Sequence, residues 1–238
     1  MELRLERNLK LSVVECYNRL AEMYSQRTRP EIRDHYLKPL LALSAGARIF
    51  DAGCGAGHDA LVLSKAGCIV TGVDISPTMC AIARKNLSKF RSAKVVEGDT
   101  ESADVGSAPF DGVLSALEIF HHEEPAGTLT RYASLLKDSG ILVLVTNHPV
   151  RNMLLHPNQD YFEERLVLED WGDQGRVPKF HWMLSTYISA ITQANLHISA
   201  IEEHQPSRDL TLVQDGSIKT NARYPSLITF VCKRSNEH

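Results

Sequence analysis

Near the start of the chain, Val13, Val14, Tyr17, Leu20, Ala21 and Tyr24 recur at helical spacing, predicting a helix over about 12–26. A second helix is predicted after Pro30, running to about Leu43, with Gly46 just past its end. From residue 48 short apolar runs alternate with helical stretches. RIFDAG reads as a strand, 57–66 as a helix, CIVTGVD (68–74) as a strand and 77–90 as a helix. AKVVEGD (93–99) and FDGVLSAL (110–117) read as strands, 124–137 as a helix and GILVLVT (140–146) as a strand. Strands alternating with helices of this length predict right-handed βαβ units around a mostly parallel sheet, a doubly wound α/β fold. After Thr146 the rhythm breaks. Residues 147–182 mix prolines, aromatics and charges without a clean period, which predicts an insertion covering something. The rhythm resumes with a helix at about 184–194, a strand at HISAIEE (197–203), a polar loop and a last strand at SLITFVC (226–232).

Composition narrows this frame. At 238 residues the expectation is one domain, with 1–46 as an N-terminal helical cap and 147–182 as a lid insertion. Hydrophobic residues make up 43% and charged residues 23%, as expected of an ordinary globular chain. A net charge of −3 disfavours a protein that grips nucleic acid through backbone phosphates. The five cysteines are odd in number and no pair has two-residue spacing, so they are read as free thiols. The N-terminus lacks a signal peptide's apolar core and no stretch approaches bilayer-spanning length. The expectation is a cytoplasmic protein with no membrane partner.

Candidate chemistry starts in IFDAGCGAGHDA, which sets Gly53, Gly55 and Gly57 between a strand and a helix. Glycines there allow a tight turn and let backbone N–H groups approach a ligand. Asp74 ends the next strand, where a carboxylate can accept from both hydroxyls of a ribose. Asp99 ends the third, where it can accept from an adenine amino group. Taken singly, the loop reads equally well as a plain turn and each aspartate as a cap or turn residue. Together they line the sheet edge where doubly wound folds bind ligands.

DAGCGAG, VDIS, EGDTE and FDGVLSALEIFHH resemble the class I S-adenosylmethionine (SAM)-dependent methyltransferases, small-molecule (type 11/25-like) subgroup, over about residues 48–146. The resemblance implies a seven-stranded sheet with its final strand antiparallel, and SAM as methyl donor with S-adenosylhomocysteine (SAH) as product. It implies that Asp51 and the backbone of Gly53 and Gly55 hold the methionine portion, and that Asp74 binds the ribose. Ile75 and Met79 pack near the adenine, Asp99 and Thr100 face its edge, and Leu117 lies beneath the sulfonium. YNRLAEMY resembles the family's opening segment and nominates Tyr24 to close over SAM. Ile75, Met79, Leu117 and Tyr24 read alternatively as packing residues.

Methyl transfer from a sulfonium needs alignment in a dry pocket, and a base where the nucleophile carries a proton. His121 and His122 follow the fourth strand and are the candidate bases; the alternative is that they only pack. HHEE is too tightly spaced for one tetrahedral metal site. His148 follows the fifth strand, and His181 and Trp182 close the insertion. Tyr161, Phe162, Trp171 and Phe180 suggest a lid over an apolar or aromatic acceptor, or an anchor for the insertion. YFEERLVLEDWGD and the segment that follows also resemble one subgroup, which often has an arginine where this chain has Trp182. The expected acceptor is a small molecule offering O, N or C, with a short peptide (N-terminal amine) as alternative. The rival readings are an NAD-dependent oxidoreductase, whose GxGxxG spacing this loop lacks, and a SAM-binding protein without catalysis.

Overall fold

The computed structural model describes residues 2–26, 30–106, 109–155, 158–171, 175–205 and 224–234. Helices α1 (Glu2–Gln26), α2 (Pro30–Tyr36) and α3 (Lys38–Leu41) precede the sheet. There follow β1 (Arg48–Ala52), α4 (His58–Lys65), β2 (Ile69–Asp74), α5 (Pro77–Asn86), β3 (Lys94–Glu97) and β4 (Phe110–Ala116). A 3-10 turn (Ile119–His121) leads into α6 (Pro125–Leu135), β5 (Leu136–Asn147) and α7 (Pro149–Leu155). The chain ends with β6 (Arg165–Asp170), β7 (Arg176–His181), α8 (Leu184–Gln193), β8 (Leu196–His204) and β9 (Leu227–Arg234).

Seven strands form one sheet in the order β3-β2-β1-β4-β5-β9-β8. β9 runs antiparallel to both its neighbours and the other pairings are parallel. This is the doubly wound sheet with an antiparallel closing strand that the sequence predicts. The inner strand β5 explains its stability. Leu142 and Leu144 pack on one face with Phe50, Phe110, Tyr132 and Phe230. Ile141, Val143 and Val145 pack on the other with Leu37, Leu40, Ile49 and Leu63. A strand buried on both faces must be apolar throughout, and each such side chain contributes about 1.5–3 kcal/mol relative to exposure.

Three predicted elements differ. α1 begins ten residues earlier than its apolar periodicity indicates. The predicted second helix is split at Leu37, because Pro39 lacks the N–H that a continuous helix needs. The stretch 147–182 is more regular than expected: α7 is followed by the β6–β7 hairpin, a separate two-stranded sheet. The hairpin meets α1 where the Cys16 thiol donates to the Arg176 carbonyl, 3.0 Å away. The polar loop before the last strand lies largely outside the described residues. All five cysteines are unpaired and buried, and no helix among the described residues is long and apolar enough to cross a membrane.

Candidate functional site

The parallel strands end on a cleft roofed by α1 and α2. Eleven of the predicted site residues line it: Tyr24, Gly53, Gly55, Asp74, Ile75, Met79, Asp99, Thr100, Leu117, His121 and His122. Asp51 is absent from the wall. It is 2% exposed beneath the glycine loop, its Oδ2 has no hydrogen-bond partner, and burial beside Asp59 and Asp74 pushes its carboxyl well above the ordinary range.

The glycine loop is shaped by backbone conformation. Gly53, Gly55 and Gly57 have φ of +67°, +51° and +77°, which favour glycine. Two of them differ in what surrounds them. A Cβ on Gly53 would lie 2.5 Å from Glu118 Cγ, so the loop needs glycine there to pack. A Cβ on Gly55 would meet nothing within 4 Å, so that backbone borders empty space. Gly55→Val is therefore expected to leave a native-like circular dichroism spectrum, at a backbone cost of roughly 1–2 kcal/mol, while placing bulk in the cleft and abolishing SAH binding by calorimetry. Normal SAH binding in a folded Gly55→Val protein would reduce the loop to a plain turn.

Asp74 is tied to this loop. Its Oδ2 accepts from Gly55 N at 2.8 Å and its Oδ1 from Ser76 N at 2.9 Å. Burial pushes its carboxyl up to about 6, against the pull of those two N–H groups. Ser76 caps α5 through Met79 N and donates to Asn18 Oδ1 at 2.7 Å, which docks α1 beside the end of β2. Asp99 accepts from Lys10 Nζ at 2.7 Å, and Lys10 also reaches Glu101 at 3.1 Å.

Under the opposite wall lies a buried polar network. Leu117 has a φ of +61°, a conformation costing a non-glycine residue about 1–3 kcal/mol. The kink turns Glu118 back toward the glycine loop. The Glu118 carboxylate accepts from Thr100 Oγ1 at 2.8 Å and Ser115 Oγ at 3.0 Å, with the Tyr132 hydroxyl 3.0 Å from both its oxygens. His122 Nε2 completes the set, and His122 Nδ1 lies 3.3 Å from Glu101. Burial alone would lower the His122 imidazole, but Glu118 and Glu101 raise it to about 10. His122 is thus an imidazolium at neutral pH, without a lone pair to take a proton.

His121 is the opposite case. Burial pushes its imidazole down to about 4. Its Nδ1 lies 2.9 Å from the Pro178 carbonyl and its Nε2 2.9 Å from the Tyr17 hydroxyl. Two other histidines named by the sequence, His148 and His181, sit apart from the cleft wall: His148 Nε2 bonds Glu203 at 2.9 Å, and His181 bonds Asn152 and the Tyr161 carbonyl. Of the insertion's aromatics, Trp171 stacks on Tyr24, with centroids 5.5 Å apart. Phe180 stacks on Trp182, Tyr161 packs edge-on to His181, and Phe162 is 77% exposed.

Sequence reasoning missed Tyr17, Lys10, Arg33, Asp59 and Glu118, all of which line the cleft. Arg33 forms an ion pair with Asp59, to which the Tyr36 hydroxyl also donates at 2.8 Å. The only signal for Glu118 was a lone acid in the apolar run ALEIF.

A seven-stranded sheet of this order, a glycine loop after β1 and an acid closing β2 define the class I methyltransferase fold. Residues 49–140, about two fifths of the chain, match the family model described as "Methyltransferase domain". Among curated relatives, a demethylmenaquinone methyltransferase of Tropheryma whipplei (strain Twist) is 29% identical over 146 residues, 58% of this chain and 60% of that protein. An S-adenosyl-L-methionine-dependent Diels-Alderase, iccD, of Talaromyces variabilis is 39% identical over 110 residues, 44% of this chain and 38% of that protein. The chain thus spans less than two thirds of either relative's length. A solved structure described as a putative S-adenosylmethionine-dependent methyltransferase from Listeria monocytogenes superposes with a TM-score of 0.69 at 20% identity, over 86% of this chain and 97% of that one. That likeness is one of fold.

Proposed function

We propose that the protein transfers a methyl group from SAM to an O, N or C nucleophile of a small, apolar or aromatic molecule. The observation that carries this reading is the Asp74–Gly55 hydrogen bond, which sets a half-buried carboxylate and an open glycine backbone on one cleft wall. The residues fit SAM end to end. Asp74 accepts from the ribose hydroxyls, Ile75 and Met79 flank the adenine, Asp99 and Thr100 border its edge, and Gly53 and Gly55 give backbone to the methionine portion. Asp51 supports the loop from beneath. Arg33, beside Asp59 in the cleft wall, supplies a cation for the methionine carboxylate. Bound SAM supplies an electrophilic methyl carbon on a good leaving group. The chain orients the acceptor toward it and excludes water, and such positioning is worth up to about 7–11 kcal/mol. Tyr24, backed by the stacked Trp171, stands on the acceptor side, and His121 is the neutral imidazole placed to receive a proton.

The Diels-Alderase among the relatives gives a second reading, in which SAM is bound and not consumed. The test is to incubate the protein with SAM and a panel of phenols, amines, enols and short peptides and to measure SAH formation. SAH release supports methyl transfer; tight SAM binding with no SAH from any acceptor favours the second reading. The carboxylate assignment has its own check. Arg33→Ala is expected to weaken SAH roughly tenfold, and 5′-methylthioadenosine, which lacks the carboxylate, hardly at all. Equal losses for the two ligands would remove Arg33 from the site.

A further inference from the structure

Hydrogen-bond polarity fixes what the acceptor side of the cleft offers. The Pro178 carbonyl can only accept, so His121 Nδ1, 2.9 Å away, carries the imidazole proton. His121 is neutral because burial disfavours its charged form, so Nε2 holds a lone pair. The Tyr17 hydroxyl, 2.9 Å from Nε2, must therefore donate its one proton there. Tyr17 oxygen is left with lone pairs alone. Both tyrosines and His121 line the cleft, their rings held edge-on at centroid distances of 5.7 Å (Tyr17–Tyr24) and 5.4 Å (Tyr17–His121).

We infer that Tyr17 is a catalytic residue: its oxygen accepts the proton of an O–H acceptor while its own proton passes to His121 Nε2. The inference rests on the methyl-transfer reading above and deepens it, by naming the acceptor class as a neutral hydroxyl compound such as a phenol or enol. The balance closes. The acceptor oxygen forms its bond to the methyl carbon as the carbon–sulfur bond breaks, its electron pair going to sulfur. The acceptor's proton moves to Tyr17 and Tyr17's proton moves to His121. One positive charge leaves sulfur and one arrives on the imidazole, where burial opposes it and the Glu118 carboxylate favours it. The two transfers must be concerted, because burial raises the cost of a free tyrosinate. His121 cannot act directly on a ligand while Tyr17 occupies Nε2, and His122 has no lone pair at neutral pH. A thiolate or carboxylate acceptor has no proton to give and gains nothing from the relay.

The experiment compares Tyr17→Phe with the unaltered protein on matched phenol and thiophenol acceptors at pH 7.5, by SAH formation. The phenol-to-thiophenol rate ratio is expected to fall about 100-fold, the lower end of general-base contributions. His121→Asn, which interrupts the relay from its other end, is expected to lower the ratio to the same degree, and the double variant no further. Equal slowing of both acceptors would mean that Tyr17 only packs, and an unaltered ratio would overturn the relay outright. SAH binding by calorimetry separates this from the parent reading: a protein that binds SAH but methylates none of the acceptors overturns both. A ligand-free readout is nitrogen-15 NMR of the imidazoles. It is expected to give His121 as the Nδ1–H tautomer, with an Nε2 resonance that moves in Tyr17→Phe. An Nε2–H tautomer in the unaltered protein refutes the proposal.

Discussion

Asp74→Ala is expected to lower SAH affinity by at least 100-fold while the protein stays folded. Two ribose hydroxyls would donate to one carboxylate, and a hydrogen bond to a charged group is worth about 1.5–3 kcal/mol. The variant also frees Gly55 N and Ser76 N, the donors now held by the carboxylate, so the loop loses its anchor as well. The same group predicts a pH dependence. Burial raises the Asp74 carboxyl to about 6 in the folded, ligand-free protein. Its ionisation therefore costs stability above that pH, and the stability contribution of the neutral form is lost as pH rises through about 6. Ligand binding has the opposite sign, because the hydroxyls need the carboxylate. Affinity should be full at pH 7–8 and fall about tenfold by pH 5, one unit below that midpoint. Asp74→Asn should be weak throughout and flat across this range. Calorimetric titration with SAH between pH 5 and 8 checks both variants; an Asp74→Ala protein that binds SAH normally would remove the ribose assignment.

Glu118→Ala is expected to destabilise the fold by about 3–5 kcal/mol, the cost of stranding a buried charge. For a chain of this size that corresponds to a melting temperature lower by roughly 10 °C. The carboxylate is the common acceptor for Thr100 and Ser115 and sits against the His122 imidazolium, so its removal leaves buried donors without acceptors. The double variant Glu118→Ala/His122→Ala should recover part of the loss, since it removes the orphaned cation too. A single variant melting within 2 °C of the unaltered protein would mean that the network is solvated and energetically slack.

The inner parallel strands β1, β2, β4 and β5 were legible because each is a mostly apolar run buried on both faces. The edge strand β3 has no fully buried residue and was placed by the rhythm of the units before and after it. Asp74 and Asp99 could be placed on the cleft by their position at the ends of successive strands. The β6–β7 hairpin was illegible for a specific reason. Along β6, Leu166 and Leu168 are exposed while Val167 and Glu169 are buried, so alternation is present with its apolar signal turned outward. Pro178 in β7 further masks a strand. Glu169 is tolerated inside because Lys179 and Arg151 pair with it, a compensation only the folded chain displays. Tyr17 was read as a helix-face residue, which it also is. Its hydroxyl's partner lies 104 positions away, and no local pattern reports such a meeting.

The hairpin shares no main-chain ladder with the large sheet. It is joined to the rest by side chains and single carbonyls, such as those of Arg176 and Pro178. Two inheritances can thus drift apart within one gene. Insertions or substitutions across 148–182 shift no register in the seven-stranded sheet and leave the loop after β1 and the acid that closes β2 in place. On the proposed reading, a lineage can rework what it accepts there without relearning how to hold its donor.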